Sequence, residues 1–173
     1  MTLPNALSAA RALLVVPVVG LIATGDVSLA LFVFLGAAAT DAFDGPLARR
    51  RGATAFGAAL DPFADKVLVI GTLAALAIQG IASAWAVLVI MARELVAIEV
   101  RARSPHAVAA SADGKAKTVL QVEAVTLLLA AAAWPGAGLA TAANLALVAA
   151  TALTLLSGVK LVLRARQTTA DAA

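Results

Sequence analysis

The chain has 173 residues, of which 62% are hydrophobic and 13% charged, with a formal net charge of +3 and no cysteine. Soluble domains carry about 25% charged residues, so this chain has too few to cover a water-exposed surface, and lipid is the expected solvent. Without cysteine, disulfides, thiolate metal centres and a cysteine nucleophile are excluded.

Taken in chain order, six apolar runs span residues 7–23, 27–49, 54–78, 83–103, 117–133 and 140–163. Most approach the roughly 20 residues that cross a bilayer as a helix. The expected fold is therefore all-α: a polytopic membrane protein of six transmembrane helices forming one domain over residues 1–173. No basic region or cleavage-like context precedes the first run, which is expected to be a membrane helix and not a removed signal. The breaks at Thr24-Gly25-Asp26, Arg50-Arg51-Gly52, Gln79-Gly80, Ser104 to Gly114 and Trp134-Pro135-Gly136 join antiparallel neighbours.

Basic residues orient the bundle. Arg49, Arg50 and Arg51 lie at the second break, Arg101, Arg103, Lys115 and Lys117 at the fourth, and Arg164 and Arg166 after the last run. That alternation puts both termini and the even-numbered loops in the cytoplasm, as expected of a multi-pass protein of the inner (cytoplasmic) membrane. Trp85 and Trp134, near the uncharged breaks, fit interfacial anchors. Nothing resembles a nucleic-acid module, and no nucleic acid partner is expected.

Asp41, Asp44, Asp61 and Asp65 interrupt this apolar background. Carboxylates at membrane depth are costly and mark sites for ions, protons or substrates. Spacings of three and four give each helix two acids on one face. Arg51 is midway between Asp41 and Asp61, so a turn nearby sets these two at similar depth, at most ~15 Å of helix rise away. Protonation or cations must relieve the repulsion within such a group. All-oxygen donors favour Mg2+ or Mn2+ over zinc, and two ions sharing a carboxylate suit phosphoryl transfer. Gly45, Ala48, Gly52 and Gly57 leave room for a ring or phosphate to approach the backbone. Arg49, eight residues beyond Asp41, lies within about 80° of it around the helix, in reach of a phosphate. Pro46 should loosen the helix locally.

The pattern D-x2-D-G-x2-A-R, then G-x3-D-x3-D, is matched by Asp41, Asp44, Gly45, Ala48, Arg49, Gly57, Asp61 and Asp65. In this the chain resembles the CDP-alcohol phosphotransferase family. The resemblance implies six transmembrane helices, a two-metal site near the cytoplasmic face, commonly a homodimer, and transfer of a phosphatidyl group from CDP-diacylglycerol to an alcohol with release of CMP. It implies Asp41, Asp44, Asp61 and Asp65 as metal ligands, with Asp65 also the general base. It further implies Gly45, Ala48, Arg49 and Gly57 as nucleotide contacts. A carboxylate suits that base role, because a hydroxyl attacks well only as its proton leaves.

For the acceptor, Arg93 and Glu94 interrupt an apolar helix, Arg101 follows Arg93 by eight residues, and Lys115 and Lys117 open the next run. Such a group suits a soluble phosphate ester. Pro4-Asn5-Ala6-Leu7-Ser8 with Arg11, Leu60-Asp61-Pro62, Ala64-Asp65-Lys66, Ala92-Arg93-Glu94-Leu95 and Lys117-Thr118 with Gln121 resemble the phosphatidylglycerophosphate-forming members of the family. That likeness implies sn-glycerol 3-phosphate as acceptor, with Arg93, Arg101 and Lys117 as phosphate contacts. Glu99 adds a negative group near the expected pocket, which leaves open a cardiolipin synthase using phosphatidylglycerol, or an inositol phosphate transferase. Read without the motif, the intramembrane acids also fit a cation transporter or channel. Asn5, Ser8 and Arg11 are expected as a helix cap and anchor, His106 as a solvent-exposed loop residue, and Lys66 and Glu123 as pairing or cavity residues.

Overall fold

A computed structural model describes the backbone of residues 3–51, 55–103 and 112–170, with side chains over 8–40, 63–100, 116–136 and 138–163. Every element in it is helical: α1 (Leu3–Leu13), α2 (Val15–Thr24), α3 (Val27–Arg51), α4 (Ala55–Ile78), α5 (Ala84–Arg103), α6 (Ala112–Ala133) and α7 (Ala137–Ala170). An apolar solvent enforces this, since a helix satisfies its backbone polar groups internally. Hydroxyls follow the same rule: Thr72, Thr126 and Thr151 each donate to the carbonyl four residues earlier, at 2.8, 2.9 and 2.7 Å.

The first apolar run differs from the single helix expected. It breaks at Leu14 into α1 and α2, and Pro17 supplies the reason: it has no N–H for the Leu13 carbonyl, and its ring crowds that oxygen. The Leu14 N–H still reaches the Ala10 carbonyl at 3.0 Å, and the Val18 N–H reaches Leu14 at 3.3 Å, so the chain continues in nearly the same direction. By contrast, α3 is assigned helix straight through Pro46. The α4 end is a Schellman turn. Gly80 takes φ of 72°, its N–H donates to Ala77 at 3.0 Å, and the Ile81 N–H donates to Leu76 at 2.9 Å.

Two helical stretches are long and apolar enough to cross a membrane among the described residues, Ala116–Ala133 and Gly138–Leu163, where six crossings were expected. Ser8–Thr24 and Val27–Thr40 are apolar but shorter. The described side chains of α3 stop just before Asp41, those of α4 start after Asp61, and α5 carries Arg93, Glu94 and Glu99 within its length. Large apolar side chains are exposed on every helix, with Leu13, Val16, Phe32, Phe63, Leu88, Val119 and Leu145 all more than half exposed. Such a surface belongs in lipid, and the fold is a membrane-associated helical bundle. The interior interleaves Ile22, Phe34, Leu68, Leu73, Ile90 and Leu129 with buried alanines such as Ala37, Ala97, Ala124 and Ala150, small residues that let helices approach closely.

The packing order positions the site. Helix α4 touches α1, α2, α3, α5 and α6, while α7 touches α5 and α6. Helices α4, α5, α7 and α6 therefore close a ring. Across it, among the described residues, no Cα of α5 comes within 8 Å of one in α6, nor does any of α4 approach α7. On the outer side of α4, a Cβ added to Gly71 would collide with a Val15 methyl on α2. Valine is stiff at χ1, so Gly71→Ala should cost about 1–3 kcal/mol of stability. Thermal unfolding in detergent should show a lower midpoint, and Val15→Ala in the same chain should recover most of the loss.

Candidate functional site

Four of the expected site residues sit on two contacting helices: α3 carries Asp41 and Asp44, and α4 carries Asp61 and Asp65. Asp65 is half-buried. The side chains of Asp41, Asp44 and Asp61 lie outside the described residues, as do those of Asn5, Gly45, Pro46, Ala48, Arg49, Gly52, Gly57, Arg101, Arg103, His106 and Lys115. Among the described residues, no group of three acids or imidazoles gathers to hold a metal.

Beside the start of this acidic stretch, α1 buries two polar side chains. Arg11 is 1% exposed and Ser8 4%, which differs from the cap-and-anchor role expected of them. The cause is the packing of α1 on both α3 and α4, which covers this face. Arg11 Nε makes a long 3.4 Å contact to Thr40 Oγ1, one residue before Asp41, and Thr40 itself donates to the Ala37 carbonyl at 2.7 Å.

A second polar centre fills the α4–α5–α7–α6 ring, and its hub is Glu94, only 2% exposed. Its Oε1 accepts from Arg93 Nη1 at 3.1 Å and from Lys117 Nζ, while Oε2 pairs with Lys66 Nζ. Lys117 and Arg93 are buried with it, their side chains 3% and 8% exposed. Arg93 Nη2 donates to Ser157 Oγ on α7 at 3.0 Å, and Ser157 donates to the Thr154 carbonyl at 3.0 Å. Gln121 Nε2, one turn after Lys117, donates to Thr154 Oγ1 at 3.1 Å. A Cβ on Gly158 would stand 3.0 Å from Arg93 Cγ, so the bare backbone there admits the arginine stem.

Arg93 and Lys117 are thus brought together, and Lys66 joins them by pairing with a carboxylate. Glu99 and Glu123 are exposed. The reason is helical phase, since Glu99 lies five residues from Glu94, about 140° around α5. Sequence reasoning saw Glu94 as an interruption and as part of a stretch that carries the family resemblance, gave it no role, and assigned nothing to Thr154, Ser157 or Gly158. Their signal was weak: hydroxyls at Thr154 and Ser157 and a glycine at Gly158, in a mainly apolar helix that carries other hydroxyls as well.

The two centres meet on α4. Asp65 belongs to the acidic stretch and Lys66 to the ring, adjacent residues that diverge by about 100° around the helix. The model of the CDP-alcohol phosphatidyltransferase family matches residues 1–158, from the first helix through the Arg93-binding segment of α7. The chain belongs to that enzyme family. It is 38% identical over 136 residues to a probable phosphatidylglycerophosphate synthase of Mycobacterium tuberculosis (strain H37Rv), covering 77% of this chain and 64% of the relative. It is 43% identical over 101 residues to a CDP-diacylglycerol–glycerol-3-phosphate 3-phosphatidyltransferase of Bacillus subtilis (strain 168), covering 56% and 52%. To the chloroplastic/mitochondrial enzyme of that name in Arabidopsis thaliana it is 40% identical over 116 residues, covering 57% and 39%. In each case the match spans less than two thirds of the relative's length.

Ser157 accepts a charged hydrogen bond in a buried setting. Ser157→Ala should lower stability by about 1.5–3 kcal/mol. Denaturant unfolding of the purified protein in detergent measures this.

Proposed function

We propose that the chain is a membrane transferase that moves the phosphatidyl group of CDP-diacylglycerol to sn-glycerol 3-phosphate, giving phosphatidylglycerophosphate and CMP. The observation that carries the acceptor assignment is the cluster of Lys66, Arg93 and Lys117 around the buried Glu94, which starts one residue beyond the last acid of the family motif. The printed names of the relatives support the same reading. A neutral lipid acceptor such as phosphatidylglycerol gives such a cluster less to bind.

The roles follow the chemistry of the side chains. Asp41 and Asp44 on α3 and Asp61 and Asp65 on α4, two contacting helices, would supply a hard, all-oxygen donor set suited to Mg2+ or Mn2+, two ions per site. Such ions, when bound, offset the negative charge of the diphosphate as phosphorus changes partner. Gly45, Ala48 and Gly57 leave space for the cytidine ring and Arg49 contacts the nucleotide phosphates. Asp65 takes the proton of the acceptor hydroxyl as its oxygen attacks the β-phosphorus, the phosphatidyl one, and CMP departs with the bridging oxygen. Arg93, Arg101 and Lys117 hold the acceptor's own phosphate, so that its free hydroxyl end faces Asp65. The bundle crosses the inner (cytoplasmic) membrane six times as a homodimer, with both termini and the site on the cytoplasmic side.

Purified protein supplied with CDP-diacylglycerol, Mg2+ and separate acceptors should release CMP fastest with glycerol 3-phosphate. Faster release with phosphatidylglycerol or an inositol phosphate contradicts the acceptor. Asp65→Asn should reduce transfer by about 10²–10⁴-fold while CDP binding, followed by titration calorimetry, stays largely intact. Full activity in that variant contradicts the base role.

A further inference from the structure

We infer that Glu94 is a positioning residue: its buried carboxylate draws Lys66, Arg93 and Lys117, from three helices, to one point inside the α4–α5–α7–α6 ring, where they form a ready-made seat for the acceptor's anionic group. This rests on the transferase reading above, which supplies the phosphate-bearing acceptor. Glu94 itself touches no substrate in this account.

The geometry of the ring carries the inference. Among the described residues, helices α5 and α6 face each other without a close backbone approach, so long side chains are needed to join them there, and Glu94 with Lys117 does so. Both carboxylate oxygens are engaged, Oε1 by two cations and Oε2 by the third. Arg93 is fixed a second time by Ser157 and by the space at Gly158. A lysine or arginine at membrane depth otherwise extends toward the interface. Three cations drawn to one carboxylate also repel each other once that carboxylate is neutral. Glu94 therefore decides whether these groups converge.

Convergence serves binding more than folding. An apolar set of similar volume would stabilise the bundle as well or better, though without fixing the helix register, and ionisable groups kept inside a membrane bundle mark ligand paths. The place fits as well. Lys66 follows Asp65 directly, so an anion shared by the cluster brings the rest of a short phospho-alcohol alongside the proposed base. Glu94, Ser157 and Gly158 thus act through Arg93 and the two lysines.

The test compares wild type with Glu94→Gln and Glu94→Asp in the purified full-length chain. Glu94→Gln should raise KM for glycerol 3-phosphate about tenfold or more, with KM for CDP-diacylglycerol unchanged within about twofold. Inorganic phosphate should lose potency as a competitive inhibitor by a similar factor. Glu94→Asp, which keeps the charge, should recover most of both. Equal changes in the two KM values, an effect on kcat alone, or a lower KM for glycerol 3-phosphate overturns the inference. Should Glu94→Gln fail to fold, Gly158→Val displaces Arg93 without removing the buried charge, and the same acceptor-selective KM rise is expected; an unchanged KM overturns the inference. If wild type releases CMP with a different alcohol and not with glycerol 3-phosphate, the acceptor assignment fails on its own. The thermal shift induced by inorganic phosphate then decides for Glu94: its loss in Glu94→Gln supports the positioning role, and equal shifts in both proteins overturn it.

Discussion

A carboxylate enclosed by cations in an apolar bundle is the constraint on which the rest of this structure turns. Glu94 is almost wholly buried, and burying such a group alone would be prohibitively costly. Its partners come from the same helix and from two others, so the cost is offset only when α4, α5 and α6 are all in place. Arg93 extends the arrangement to α7 through Ser157. Apolar packing against lipid specifies rotation and depth loosely, because one apolar face resembles another. The ionic hub is directional, and it fixes the register of four helices about one point.

That fixed point explains how the fold separates two kinds of charge. On α4 the acidic motif ends at Asp65 and the cationic ring begins at Lys66, diverging around the helix by about 100°. In the proposed reaction, one side takes cations and a nucleotide diphosphate, and the other takes a phosphate monoester. Transfer between two anionic substrates requires each to be neutralised separately yet held within bonding reach of the other. In that proposal a single helix carries both sides. Ordering a long side chain during binding costs about 0.5–1.5 kcal/mol, and Lys66, Arg93 and Lys117 are already held before a ligand arrives.

Much of this was legible in the sequence. Helices α3 through α7 begin and end within a few residues of the apolar runs, except that α6 starts five residues earlier and α7 extends past Leu163, because Gly25, Gly80 and the Trp134-Pro135-Gly136 break are strong local signals. The split at Leu14 was less evident, since Pro17 acts on the carbonyl four residues before it, in a run of uniform hydropathy. The motif pointed to the family, whose model matches residues 1–158, because its eight fixed positions have a specific spacing. Glu94 was harder to interpret, since a single acid beside an arginine reads as a local pair. Its partners at Lys66 and Lys117 are 28 and 23 residues away, and only tertiary packing joins them. Ser157 and Gly158 belong to a helix whose composition carries little beyond hydrophobicity. Glu99 misled for the complementary reason: it lies nearer in sequence to Arg101, but helical phase turns it outward.

The central claim is that the acidic side and the cationic side of α4 serve one reaction centre. The most direct measurement is the 31P relaxation of glycerol 3-phosphate bound to the purified protein, with Mn2+ as the paramagnetic ion and CDP filling the nucleotide position. The account predicts strong relaxation enhancement beyond that of a protein-free solution, lost when diamagnetic Mg2+ replaces Mn2+. A glycerol 3-phosphate that binds yet shows no Mn2+-dependent enhancement would place the two centres apart and contradict the account.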